Sequence, residues 1–162
     1  VDKDPIRFMM LNRSSDVELD FDFDKVKEKT KDNPVFYVQY AFARINSLLR
    51  ILNISLNSEI KLNEENFELN ANEEKIIRKI FEWPKIIESV SKKYEIHKIP
   101  FYLYELSTLF HSYWSKGNED KKYKFIENDK VKRIEILAII NLISIVIQNG
   151  MKILGVSLPK KM

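Results

Sequence analysis

Tyr37, Tyr40 and Arg44 stand at i, i+3 and i+7 in the run VFYVQYAFAR. On a helix that spacing brings two phenol rings and a guanidinium within about 60° of one another. Such a face suits unpaired nucleic-acid bases. Rings stack on them, Arg stacks or hydrogen-bonds, and each stack is worth roughly 1–3 kcal/mol. The same face equally suits a helix–helix contact with the phenol groups at its rim, and spacing alone leaves both readings open. Trp114, in a second aromatic-rich run, either extends the platform or fills core. Other candidate chemistry is sparse. Residues 18–24 (ELDFDFD) alternate acid and apolar, the period of an extended piece with Leu19, Phe21 and Phe23 on one side. Paired carboxylates can do general acid–base work, but alternating acids on a short strand more simply form a solvated face. The two histidines, His97 and His111, lie 14 residues apart on what read as different helical segments. There is no cysteine, Gly-rich phosphate loop, GxSxG or HExxH motif, and no metal-ligand spacing. The sequence therefore predicts no catalytic residue and no metal site.

The elements that must position these side chains read as almost wholly helical. Residues 4–12 form a short helix ending in a polar turn. Asn33-Pro34 opens a long helix, with Asn33 as N-cap and Pro34 at the first helical position, where a missing N–H costs nothing. It runs to about Leu52. Val38, Phe42, Ile45, Leu49 and Leu52 fall within an arc of about 80°, which marks the core stripe and leaves Tyr37, Tyr40 and Arg44 clear of it. The Asn- and Glu-rich stretch 53–72 is a surface connection ending at a cap at Asn72, with Glu73 and Glu74 in the following first turn. A helix over 73–82 either breaks at Trp83-Pro84 or kinks there. Ile99-Pro100 starts the next, which carries FYLYELSTLFHSYW to a stop at Gly117-Asn118. A charged loop precedes a last helix from about Asn128 to Leu154, with Gly150 in close packing, Gly155 as the left-handed terminator and Pro159 barring a restart. The expected fold is an all-α helical bundle preceded by a short mixed helix/extended junction segment.

Composition bounds the function classes. At 162 residues the chain is one domain with room for a sizeable core. Its most apolar stretch, Ile134–Ile147, is shorter than a membrane span and reads as a core helix. The N-terminal Val-Asp-Lys-Asp has no apolar signal region, and absent cysteine fits a reducing compartment, so the expected location is cytoplasmic. The net charge of +3 conceals an uneven distribution. Residues 75–162 carry 17 basic and 9 acidic groups, whereas residues 59–74 carry one and six. The basic half is compatible with a polyanion partner.

The run DNPVFYVQYAFARI (32–45) resembles the signature that opens the C-terminal, all-helical, anticodon-binding DALR domain of arginyl-tRNA synthetases. Three further stretches resemble the same family in the same order. DPIRFMMLNRSSDVELDFDFDK (4–25) is similar to the segment joining catalytic core to that domain. FYLYELSTLFHSYW (101–114) is similar to its central helix, and NGMKILGVSLPKKM (149–162) to its extreme C-terminus, which commonly closes on methionine. Phe42 stands where the family often has histidine, and the core stripe accounts for it. The name-giving tetrapeptide is not literally present; Arg133 with Leu137-Ala138 is its nearest counterpart. Both class I ATP-site signatures are missing.

This resemblance implies an excised fragment with residues 1–32 as the junction from an absent catalytic core and 33–162 as the anticodon-binding domain. It implies that Tyr37, Tyr40 and Arg44 lie against the anticodon loop of tRNA(Arg), with Trp114 and Met162 implicated similarly. The full-length enzyme would ligate arginine to tRNA(Arg) using ATP and Mg, while the fragment itself would hold no cofactor and no catalytic site. The implied partners are tRNA(Arg) and the enzyme's own catalytic domain, with no membrane. The alternative expectation is a helical protein-interaction module without RNA binding.

Overall fold

The computed structural model describes residues 3–14, 16–18, 28, 30, 32–56, 58–62, 68–160 and 162. The expected extended piece at 18–24 lies almost entirely outside them. Among the described residues the chain forms five α-helices: α1 (Lys3–Leu11), α2 (Pro34–Ile51), α3 (Ala71–Lys93), α4 (Lys98–Glu119) and α5 (Ile134–Leu154). A 3₁₀ turn (Lys121–Tyr123) and a short antiparallel hairpin, β1 (Ile126–Glu127) and β2 (Lys130–Val131), join α4 to α5.

Each helix buries the stripe its sequence offers. On α2, Val38, Phe42, Ile45 and Leu49 are all buried, as the helical period requires, and Leu52 packs at the margin. These side chains meet Tyr102, Leu103, Leu106 and Phe110 of α4 and Ile136, Ile140, Ile143 and Ile147 of α5 in one core. α4 packs against α2, α3 and α5. α5 is long and apolar enough to cross a membrane by length and composition; here it packs against all four other helices. Its full length exceeds the 14-residue apolar stretch because Gln148, Asn149 and Lys152 extend it along a face that need not be apolar. Gly150 allows a close approach: a Cβ there would lie 2.8 Å from the Leu103 side chain.

Several local expectations differ from the structure. The cap of α3 is Asn70, not Asn72: its side chain accepts from the backbone N–H groups of Asn72 and Glu73, while the Glu73 carboxylate accepts from Asn70 N–H in a capping box. Of the two expectations at Pro84, the break does not occur and the single helix does: α3 runs through it. A proline forfeits one backbone bond, and here Trp83, packed 5.2 Å from the Tyr102 ring, anchors that turn by tertiary contact. Asn33 does sit at the N-cap of α2, but its side chain makes no cap bond and instead donates to the Glu28 carbonyl. α4 continues past Gly117 to Glu119, and Gly117 admits the Tyr123 carbonyl against the helix. The last helix begins at Ile134 because Asn128 and Asp129, both at positive φ, form a two-residue hairpin turn. The connection after α2 is more than surface: Ile54, Leu56 and Ile60 pack on the core.

Candidate nucleic-acid interface

The predicted Tyr–Tyr–Arg face of α2 turns toward α4, where it meets a residue that its own helix could not reveal. His111 of α4 lies between the two tyrosines, with ring centroids 4.4 Å from Tyr37 and 5.5 Å from Tyr40. Its Nε2–H donates to the Tyr37 carbonyl at 3.1 Å, and its Nδ1 accepts from Arg44 Nη1 at 3.1 Å. A carbonyl cannot donate and a guanidinium cannot accept, so both bonds together require the neutral Nε2–H tautomer. Burial, together with the neighbouring Arg44 charge, pushes the His111 pKa down to about 4, against the pull of its bond to Tyr37. The imidazole is therefore neutral near pH 7. It serves as an acceptor for Arg44 and is no general base in waiting.

Arg44 is held from a second side. Its Nη2 donates to Tyr40 Oη at 2.9 Å, and its guanidinium carbon lies 4.3 Å from the Tyr40 ring centroid. Two of its five N–H donors are thus used, leaving others for a base edge or phosphate. Tyr40 is exposed, at 42 %, and presents the ring that a stacking partner would meet first. Tyr37 is less open than the helical wheel implies. It is half-buried against Tyr104, 5.1 Å away, and burial pushes its phenol pKa up, opposed by a bond to Thr108.

These residues line a groove of about 500 Å³ together with Phe36, Ser115 and Met162. Met162 thus reaches the face that Tyr37, Tyr40 and Arg44 define. Trp114 lies elsewhere. It packs against Phe110 and Phe125 and lines a second groove of about 360 Å³, with Arg44, Lys124 and Asn118 on its walls. Among the described residues Arg44 alone lines both grooves, with its guanidinium 5.3 Å from the Trp114 ring. Trp114 accordingly answers to both sequence readings at once: half-buried in an aromatic cluster, with one side on a groove. His97 joins none of this. It precedes the first turn of α4, the helix that also carries His111, rather than lying on a different segment. A signal for His111 did exist: Tyr104, His111 and Trp114, at i, i+7 and i+10, share one face of α4.

Residues 38–162 match the family described as the DALR anticodon binding domain. The chain belongs to this family. An arginine–tRNA ligase of Pelagibacter ubique is 52% identical over 162 residues, covering 100% of this chain and 28% of that protein. The chain thus spans somewhat over a quarter of that relative's length. Two solved structures share the fold. An arginyl-tRNA synthetase of Thermus thermophilus superposes with a TM-score of 0.74 at 19% identity, over 98% of this chain and 26% of the other. A Campylobacter jejuni chain assigned to the same enzyme gives 0.80 at 21% identity, over 98% and 33%. As a DALR domain, the chain shares that family's helical bundle over all but its first 37 residues.

Proposed function

We propose that this DALR domain is the anticodon-binding part of an arginine–tRNA ligase and takes the anticodon loop of tRNA(Arg) on the two grooves flanking Arg44. The observation that carries this reading is the convergence of Tyr37, Tyr40, Arg44 and Met162 on one groove. An unstacked loop base would lie on the exposed Tyr40 ring, with Met162 closing the apolar side. Arg44, oriented by His111 and Tyr40, would use its remaining donors on a base edge or phosphate. A neighbouring base could enter the groove of Trp114. Lys121, Lys122, Lys124, Lys130 and Lys132 stand exposed around the adjoining hairpin, where they would contact loop and stem phosphates.

The ligase chemistry, driven by ATP, would belong to the part of the enzyme that this chain does not span, and its catalytic domain would be the protein partner. No residue described above takes a chemical role. Such an enzyme works where tRNA is charged, in the cytoplasm. The other reading of the Tyr–Arg face, a protein-interaction module, gains no support from the family match. The test is binding of an arginine-anticodon stem-loop against one with a scrambled anticodon, at fixed salt. A preference of about tenfold or more, equivalent to at least 1.4 kcal/mol, is expected; equal affinities would overturn the proposal.

A further inference from the structure

We infer that Asp4 and Gln39, acting through Ser157, are positioning residues that hold Met162 in the groove; as a role in RNA binding this rests on the function proposed above. Met162 itself is 56% exposed, so its own burial does little to fix it. What fixes the segment lies five residues earlier. The backbone N–H of Ser157 donates to Asp4 Oδ2 at 3.0 Å, and its hydroxyl donates to the same oxygen. The Ser157 carbonyl accepts from Gln39 Nε2 at 2.9 Å. All three polar groups of one residue are thereby tied to two helices.

Both anchors are buried, Asp4 to 3% and Gln39 to 6% exposure. Burying a carboxylate and an amide is unfavourable unless they are hydrogen-bonded, and here both direct bonds to a single residue of the chain. The exit from α5 is prepared by the same helix. Arg7 Nε donates to the Leu154 carbonyl at 2.6 Å, one turn along α1 from Asp4, and Gly155 turns the backbone at φ 65. Val156 is buried and Leu158 packs against the core from the other side, so Ser157 sits between two apolar contacts of the same segment.

The geometry is that of a short tether with a fixed origin. From Ser157 an extended chain reaches at most roughly 17 Å over five residues. Gln39 immediately precedes Tyr40 on α2, so the anchor and the stacking face ride on one rigid helix. Their separation cannot vary without breaking α2.

The test uses the whole 162-residue chain with Asp4→Ala and Gln39→Leu, and, because Asp4→Ala removes a buried group, reads both. The first measurement needs no RNA: cross-relaxation between the Met162 methyl and the ring protons of Tyr37 and Tyr40. It is expected in the parent chain and lost in either variant that keeps its thermal unfolding transition; persistence in a folded variant overturns the inference. The second is a double-mutant cycle with Met162→Ala against the arginine-anticodon stem-loop. Each anchor variant should weaken binding about fivefold to tenfold in the parent and less than twofold once Met162 is gone. Equal losses in both backgrounds would make the clamp a general stabiliser and overturn it. If the parent chain does not discriminate between stem-loops, the functional proposal falls, while the methyl measurement still decides whether the clamp positions Met162.

Discussion

Arg44 of α2 donates to His111 Nδ1 of α4 at 3.1 Å, and this bond, with that from His111 to the Tyr37 carbonyl, joins the two helices at the centre of the candidate interface. It converts a flexible cation into an oriented one. A free arginine side chain carries about 2 kcal/mol of rotamer entropy, most of which an RNA ligand would otherwise have to remove on binding. With Nη1 on His111 and Nη2 on Tyr40, that ordering is complete before any base arrives. The same bonds fix the Tyr40 ring, so stacking surface and charge are presented as a unit.

The burial of His111 beside Arg44 makes a pH prediction. The folded value of about 4 lies below the ordinary 6.5, so between these two pH values the unfolded chain binds a proton that the folded chain refuses. The His111 contribution is complete above pH 6.5 and is lost as pH falls toward 4. Over that window it amounts to about 3 kcal/mol. An NMR titration of the His111 ring should show its midpoint near pH 4, and denaturation at pH 5 should give lower stability than at pH 7. A midpoint near 6.5 would mean that the ring is not buried between the two tyrosines as the structure places it.

Glu73 is the more deeply buried of two buried carboxylates among the described residues, at 0% exposure against 3% for Asp4. Its Oε2 accepts from Arg133 Nη2 at 2.6 Å and from Asn70 N–H at 2.9 Å, and its Oε1 accepts from Tyr113 Oη at 2.6 Å. Glu73→Ala would strip the capping box from α3 and leave Arg133 and Tyr113 without their shared acceptor. Arg133 is partly exposed and also pairs with Glu135, so the loss is that of the cap and of the buried Tyr113 bond, about 1–3 kcal/mol. Urea denaturation should register that loss; a change below 1 kcal/mol would show that the network contributes little.

The helix interiors were legible in the sequence because a 3.6-residue period over a dozen residues admits one burial pattern, as the α2 stripe from Val38 to Leu49 illustrates. Boundaries were less so. Asn70 and Asn72 are equally good cap residues by type, and only the reach of Glu73 back to residue 70 decides between them. Pro84 reads as a breaker until Trp83 is seen against Tyr102. The hairpin at 126–131 escapes a helical reading although Asn128-Asp129, with Ile126 and Val131 one residue further out on each side, is a turn signal, because the following apolar run dominates. In the site, the α2 face was readable from one helix, whereas His111 required knowing that α4 lies opposite. The split of Trp114 into a separate groove is a tertiary fact, set by Phe110 and Phe125, with no local signature.

Gly155 tests the exit from α5. It sits at φ 65, and a Cβ there would fall 2.9 Å from Arg7 Nε, the atom that bonds the Leu154 carbonyl. Gly155→Ala therefore combines left-handed strain of about 1–2 kcal/mol with displacement of Arg7. A lowered unfolding temperature is expected, together with weaker stem-loop binding because the segment leading to Met162 is re-aimed. Unchanged stability would show that the turn tolerates a side chain.

The last prediction separates stacking from charge at the interface itself. Tyr40→Ala removes the exposed ring and should weaken binding of the arginine-anticodon stem-loop by about 1–3 kcal/mol. The slope of affinity against salt should stay as it was, because no phosphate contact is lost. Arg44→Ala should cost a similar amount but also flatten that slope if its free donors meet a phosphate, each such contact contributing roughly 0.7–0.9 to it. Arg44→Lys is the informative third variant. Lysine keeps the charge but cannot bond His111 and Tyr40 at once in a planar fork, so affinity should fall while the slope survives. Should Lys restore full affinity, Arg44 would act as a point charge alone, and the orienting role of His111 would have no consequence for binding.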